Sequence, residues 1–311
     1  MKKRIAILDL GTNTFHLLIA DVLEEAKFKV LYKAEEFVQL GEQGLERIGE
    51  KPFERGLQQI RRYRTVMDEY HPEQIIAFGT AAIRTASNGH DFMEQARVVC
   101  PMEVRKISGD EEATLIYLGV KQAVQLLPAP VLMMDIGGGS TEFIIANDDQ
   151  VFWKQSFPLG ASVLLQQFQQ HDPATAEEVM RMRIFLQDAL QPLFLQQQHY
   201  YISRLIGASG SFDTFASMIA PDAAYTEDQL PATAFDFSRE QFQQLYQRLL
   251  KSNLQERLQM KGMKAFRAAM MVVAAILTDV VVQQFRVEQI TQSAYALKEG
   301  VLWKLMQQEE H

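Results

Sequence analysis

The stretch VLMMDIGGGSTEFIIAN, Val131 to Asn147, lies on IAILDLGTNTFHLLIAD, Ile5 to Asp21, without a gap. Asp9 falls on Asp135, Gly11 on Gly137, Thr14 on Ser140, Leu18 on Ile144 and Ala20 on Ala146, at a constant offset of 126 residues (135 − 9 = 126). Each copy runs from apolar residues through an aspartate to a glycine-bearing polar loop, then back to apolar residues. That order reads as a strand, a tight turn and a strand. A pattern repeated so far along the chain requires a duplicated strand-rich unit, with two facing loops as the place for a site. The 311 residues are enough for two medium domains, and 47% hydrophobic with 23% charged residues supplies two cores of an ordinary soluble protein.

The pattern along the rest of the chain is mixed α/β. IAILDL, FHLLIADV, FKVLYKAEEFVQL, IIAFGT and EVRKIS read as strands. Phe53, Leu57, Ile60, Tyr63 and Met67 recur at helical spacing, which predicts a helix over 52–70. Further helices are expected over 85–99, 110–127, 161–170, 174–200, 238–250 and 263–285. Ser238 and Gln241 have the spacing of a capping box. RLIGASG reads as a strand entering a glycine turn, and the last segment as a strand, a turn and a final helix. The Pro-punctuated LLPAP, Leu126 to Pro130, marks a link, with a hinge near 118–130. The domains expected are 1–122 and 123–311, with the final helix, about 298–311, folding back on the first.

A net charge of −8 argues against a DNA or RNA partner, which would need a basic face. A small anionic substrate needs no more than a few local donors. Cys100 is the single cysteine, so no internal disulfide forms, and a reducing, cytoplasmic location is expected. The longest apolar run, Ala268 to Leu277, is too short to span a bilayer, so no membrane partner is expected. The histidines show no metal-ligand spacing.

The loops carry the chemistry. In DIGGGSTE, Gly137, Gly138 and Gly139 let the backbone turn and approach a ligand closely, and successive N–H groups in such a turn form an anion-binding nest. Ser140 and Thr141 add hydroxyls. Asp135, at the end of an apolar strand, is a candidate magnesium ligand, acting through water. DLGTNT offers the same parts in Asp9, Gly11, Thr12, Asn13 and Thr14. Arg84 follows a buried strand and a small-residue turn, and its fork suits either a phosphate or a surface ion pair. Glu111 and Glu112 open a helix, where negative charge is favourable in any case; one of them can face a cleft, because neighbours point about 100° apart. GASGSF adds a third small-residue turn at Gly207, Ser209, Gly210 and Ser211. Lys261, Lys264 and Arg267 read either as a polyanion contact or as a solvated helix face.

These motifs, in this order, resemble the exopolyphosphatase and guanosine pentaphosphate phosphohydrolase family of the actin-like phosphotransferase superfamily. DLGTNTFHLLIADV resembles its first phosphate loop, GTAAIRTASN its arginine segment, ISGDEEATLIYLGV its catalytic-glutamate segment, and DIGGGSTE its most diagnostic string. SFPLGA, GASGSF and ALKEGVLW match as well. The resemblance implies two ribonuclease-H-like domains of the actin-like ATPase type around an interdomain cleft. It implies Glu112 as the general base, and Glu142 as a second catalytic or metal-binding carboxylate beside Asp9 and Asp135. Magnesium or another divalent cation is the implied cofactor, and polyphosphate or guanosine pentaphosphate the implied substrate, with a homodimer and a part in the stringent response. Ala269 stands where the family often has an acidic residue, and Lys261 where it often has proline. The chain is similar to the short, two-domain form, for which processivity on long chains is not expected. Two other readings stand beside the hydrolase: a kinase or ATPase of the same superfamily, and a non-catalytic sensor of guanosine tetra- or pentaphosphate.

Overall fold

The computed structural model describes residues 3–23, 27–220 and 233–309. It divides into two compact units, one of residues 1–119 with 297–311 and one of residues 120–296. The division, between Gly119 and Val120, falls inside a helix, Gly109–Ala123.

The first unit is built on a five-stranded sheet of β1 (Lys3–Leu10), β2 (Thr14–Val22), β3 (Phe28–Phe37), β4 (Gln74–Gly79) and β5 (Glu103–Lys106), in the order β3-β2-β1-β4-β5. β1, β2 and β3 form an antiparallel meander, while β4 and β5 run parallel to β1. Parallel connection requires crossover helices. These are α1 (Glu50–Tyr70), the short α2 (Ala81–Thr85) and α3 (Gly89–Val99), and β5 leads into α4 (Gly109–Ala123). The predicted helix over 85–99 begins at Gly89 instead, and the small-residue turn expected before Arg84 is the short helix α2. Asn88 lies just before this helix, its side-chain amide turned to the backbone of Ile48 with two bonds of 2.9 Å.

The second unit repeats the plan. Its sheet consists of β6 (Val131–Ile136), β7 (Thr141–Ala146), β8 (Val151–Phe157), β9 (Arg204–Ala208), β10 (Ala234–Ser238) and β11 (Gln289–Ser293). The order β10-β11-β9-β6-β7-β8 contains the first unit's order with one added edge strand, β10. The duplication reaches the register. Asp9 faces His16 across β1 and β2, and Asp135 faces Glu142 across β6 and β7. The ladder irregularity between Ile19 and Ala20 recurs between Ile145 and Ala146, at the same offset. This is the ribonuclease-H-like arrangement the resemblance implies, present twice. β6 and β7 are buried along their whole length, as central strands covered on both faces must be, so they read as continuous apolar runs.

Helices of the second unit are α5 (Ala161–Phe168), α6 (Ala176–Ala189), α7 (Gln191–Phe194), α8 (Ser209–Ile219), α9 (Arg239–Lys251), α10 (Leu254–Leu258) and α11 (Met271–Phe285). The predicted helix 174–200 stops at Ala189, before Pro192, and continues as short turns. The predicted helix 263–285 begins at Met271 instead, since residues 265–267 form a 3₁₀ turn. The expected helix over 110–127 ends at Ala123, and the strand over 28–40 ends at Phe37. The capping box of Ser238 and Gln241 opens α9 with both reciprocal bonds. α12 (Leu297–Glu309) belongs to the first unit and packs on β1. Gly300 lets α12 approach α4, because a Cβ there would run into the Leu115 carbonyl. Residues 310 and 311 of the expected final helix lie outside the described residues. No helix of the described residues is long and apolar enough to cross a membrane.

Candidate active site

In the first unit β1, β4 and β5 run parallel, so the segments leaving their carboxyl ends emerge at one edge of the sheet. Those segments carry Gly11–Thr14, Arg84 and Glu112 in turn. Ligands of open α/β sheets bind at this edge. Thr80 ties two of the strand ends together, its N–H donating to the Leu10 carbonyl at 3.4 Å.

The first loop is anchored through its acceptors. Val38 and Gln39 donate their N–H groups to the Asn13 carbonyl at 2.7 and 2.8 Å, and Gly41 donates to that of Thr12 at 3.1 Å. Gly11 donates to the Thr14 carbonyl at 3.1 Å, closing the turn. An anion is bound by donors, so a loop whose carbonyls face the protein suits phosphate. Thr12 and Asn13 are buried, while Gly11 and Thr14 are half-buried.

Arg84 and Glu112 meet. Nη1 of Arg84 donates to Glu112 Oε2 at 2.7 Å and to the Ile107 carbonyl at 3.2 Å. Both contacts use one nitrogen of the fork. The two adjacent glutamates separate as helix geometry requires: Glu112 is 8% exposed, whereas Glu111 lies further out and pairs with Arg105 at 3.3 Å. Of the two open readings for Arg84, the structure thus contains an ion pair, and it is a half-buried one with the very carboxylate named as the base.

The second unit places its parts the same way. β6 and β9 run parallel, and the segments at their carboxyl ends are Gly137–Thr141 and Gly207–Ser211. The glycine loop is again closed and anchored through carbonyls. Gly137 donates to the Ser140 carbonyl at 2.9 Å, and the first N–H groups of α5, from Ala161 and Ser162, donate to Gly137 and Gly138 at 2.9 and 3.0 Å. In both units the anchor is the segment that follows the third strand of the meander. Gly160 makes this approach feasible, since a Cβ there would collide with the Gly138 carbonyl. The Thr141 hydroxyl donates to the Leu159 carbonyl at 2.8 Å, so it serves the fold.

The carboxylates of this unit are buried and held by hydroxyls. Ser140 and Ser156 each donate to Glu142 Oε1 at 2.7 Å, and Ser209 donates to Asp135 Oδ2 at 2.6 Å. Directly opposed residues of an antiparallel pair share a face, so Asp135 and Glu142 project together. Among the described residues no three His, Cys, Asp or Glu side chains form a metal-holding group. Magnesium asks for less, being held by one or two carboxylates with water and substrate phosphate, and a pair of buried carboxylates fits that habit. Asp9, with its Oδ1 buried, occupies the equivalent place in the first unit.

Ser209 has φ of +62°, a left-handed conformation costly for a residue other than glycine, and it opens α8. Gly210 follows, and the Arg267 guanidinium lies where a Cβ at Gly210 would stand. This corrects the reading of a solvated helix face for Arg267. The residue is in the 3₁₀ turn before α11, its Nε is buried, and burial lowers its pKa to about 10, which leaves it cationic at neutral pH. Its guanidinium also sits 5.2 Å from the Phe266 ring. Ser156 escaped the sequence reading as a partner of Glu142. The available signal was its place opposite Glu142 in a paired strand, which needs the register to be known.

Comparison with known proteins settles the family. The model of the Ppx/GppA phosphatase family matches residues 18–309. The chain belongs to this family. It is 36% identical to an exopolyphosphatase of Cytophaga hutchinsonii, whose crystal structure superposes with a TM-score of 0.93 over 98% of both chains. A Haemophilus influenzae protein provisionally named an exopolyphosphatase is 28% identical over 97% of this chain and 91% of its own length. A Ppx/GppA family member of Aquifex aeolicus shares the fold at 24% identity, with a TM-score of 0.82 over 100% of each chain. As a Ppx/GppA protein the chain is a hydrolase of the exopolyphosphatase type.

Proposed function

We propose that this Ppx/GppA protein releases the terminal phosphate of inorganic polyphosphate, and of guanosine pentaphosphate, by magnesium-assisted attack of water. The observation that carries the reading is the gathering of Gly11–Thr14, Arg84 and Glu112 at the carboxyl ends of the parallel strands of one mixed sheet, with a second donor loop in the duplicated unit. Both substrates end in a phosphoanhydride, so the same donors serve either.

In this mechanism the loop donors and Arg84 orient the terminal phosphate. Glu112 takes the proton of the attacking water through Oε2, the atom that now accepts from Arg84. The new bond forms between water oxygen and terminal phosphorus as the bridging P–O bond breaks, and the shortened chain leaves with the electron pair. Asp9 in the first unit, and Asp135 with Glu142 in the second, are the residues that would hold magnesium, which would supply charge neutralisation on the leaving group. Ser140 and Ser156 fix the Glu142 carboxylate, and Ser209 that of Asp135, so neither needs reordering during the reaction.

One observation favours the sensor reading. Glu112 Oε2, the atom the hydrolase reading needs for the attacking water, already accepts from Arg84 at 2.7 Å. Phosphate release from short polyphosphate, long polyphosphate, guanosine pentaphosphate and ATP, with magnesium and with chelator, decides. Magnesium-dependent release from the first three with ATP poor, abolished in a folded Glu112→Ala protein, supports the hydrolase. Tight alarmone binding with no release from any substrate would replace it by the sensor, and preferred turnover of ATP by the kinase or ATPase. Because the reading needs both loops, a variant in either must reduce release.

A further inference from the structure

We propose that Arg257 is a positioning residue: it sets the turn that carries Arg267, and through it the cationic contact at the start of α8. The inference rests on the reading that Arg267 meets a substrate phosphate. Arg257 is 1% exposed and heads the fully buried side chains of the described residues by volume. Burying a guanidinium is costly unless its nitrogens find acceptors. Here Nε donates to the Ala268 carbonyl at 2.8 Å, Nη2 to Asp172 Oδ1 at 2.8 Å, and Nη1 to the Ser252 carbonyl. Asp172 in turn accepts the N–H of Leu254 at 2.5 Å through its other oxygen.

These partners bracket one segment. Ser252 precedes α10, on which Arg257 sits, and Ala268 immediately follows Arg267. At the segment's other end Gly262 has φ of +84°, and a Cβ there would strike the Ser217 carbonyl of α8. The 3₁₀ turn 265–267 is therefore held near Ser217 at one side and pinned by Arg257 at the other. The Arg267 guanidinium lies against Gly210 at the first turn of α8. A cation held at a helix N-terminus adds to the positive end of the helix dipole, so the placement serves an anion rather than the helix. A lysine cannot replace Arg257, because a single ammonium cannot span three acceptors in fixed directions.

The test uses the full chain with Arg257→Met, Arg267→Ala and the double variant. Inorganic tripolyphosphate is the probe, read by calorimetric Kd, and amide hydrogen exchange reads the turn without ligand. Arg257→Met should speed exchange at 265–270 while 271–285 stays protected. It should weaken tripolyphosphate about tenfold, the scale of one charge-assisted contact, raise KM more than it lowers kcat, and change nothing further in the Arg267→Ala background. Unchanged protection at 265–270, or an equal loss in both backgrounds, overturns the proposal. If Arg257→Met fails to fold, Asp172→Asn, which weakens the same anchor, must show the same exchange pattern. Wild-type protein that does not bind tripolyphosphate refutes the functional reading, while the exchange arm still judges whether Arg257 sets the turn.

Discussion

A methyl group added to the first loop should harm this enzyme more than the same methyl added to the second. At Gly11 a Cβ would stand 2.7 Å from the Thr14 carbonyl oxygen; at Gly137 it would stand 3.0 Å from that of Ser140. Ordinary contact begins at 3.4 Å, so the overlaps are 0.7 Å (3.4 − 2.7) and 0.4 Å (3.4 − 3.0). The obstructing atom is in each case the carbonyl that accepts the glycine's own N–H, so it cannot move away without breaking the turn. Both loops are anchored further, the first by bonds from Val38, Gln39 and Gly41 and the second by bonds from Ala161 and Ser162, so the difference rests on the size of the overlap. Overpacking of this kind costs about 1–3 kcal/mol. For Gly11→Ala we expect the upper part of that range, seen as a fall in Tm of roughly 5–10 °C. A loop shifted by several tenths of an ångström should lower kcat/KM by about 10–100-fold, given that a displacement of 1 Å costs about 100-fold. For Gly137→Ala, whose neighbour must give by a few tenths, both effects should be smaller. Thermal unfolding by circular dichroism and phosphate release from short polyphosphate measure the two quantities. A Gly11→Ala protein with wild-type Tm and kcat/KM, or a Gly137→Ala protein damaged more than Gly11→Ala, would refute the steric argument.

Other consequences are as open to measurement. Arg84→Lys keeps the charge but cannot reach both Glu112 and the Ile107 carbonyl with the same geometry, so kcat/KM for phosphate release should fall about 10–100-fold with little change in Tm. Gly210→Ala should push the Arg267 guanidinium from its seat and raise KM for polyphosphate; an unchanged KM would show that Arg267 does not bind it. Desolvation raises the Glu178 carboxyl, but N–H bonds from Thr175, Gln170 and His171 outweigh it and bring the pKa from its ordinary 4.5 to about 2. Its stabilisation is thus complete above about pH 4.5 and lost as the pH falls towards 2, so Glu178→Gln should flatten the pH dependence of urea unfolding in that window. Burial pushes the Cys100 thiol up, so a thiol reagent should leave it unmodified in native protein and react with one thiol after denaturation.

Much of the architecture was legible because the chain states it twice. The Asp–apolar–Gly spacing of Asp9 to Gly11 recurs at Asp135 to Gly137, and local rules for strands and turns are enough to read each copy. Segments whose limits depend on tertiary contacts were misread. The helix expected from Thr85 starts only at Gly89, because the Asn88 side chain is held by two backbone bonds to Ile48, 40 residues away. The turn before α11 breaks an apolar helical run because Arg257 claims the Ala268 carbonyl.

The duplicated α/β plan, the two glycine-bearing loops and the small set of candidate carboxylates and arginines are legible in the chain alone. These follow from periodicity, from glycine's conformational freedom and from side-chain chemistry, all of which act over short stretches of chain. How those groups are held emerges in three dimensions: Glu112 rather than Glu111 is buried against Arg84, Ser156 and Ser140 share Glu142, and Arg267 is packed on Gly210. Burial and hydrogen-bond partnership depend on residues far apart in the chain meeting in space, and no local pattern records which of them will meet.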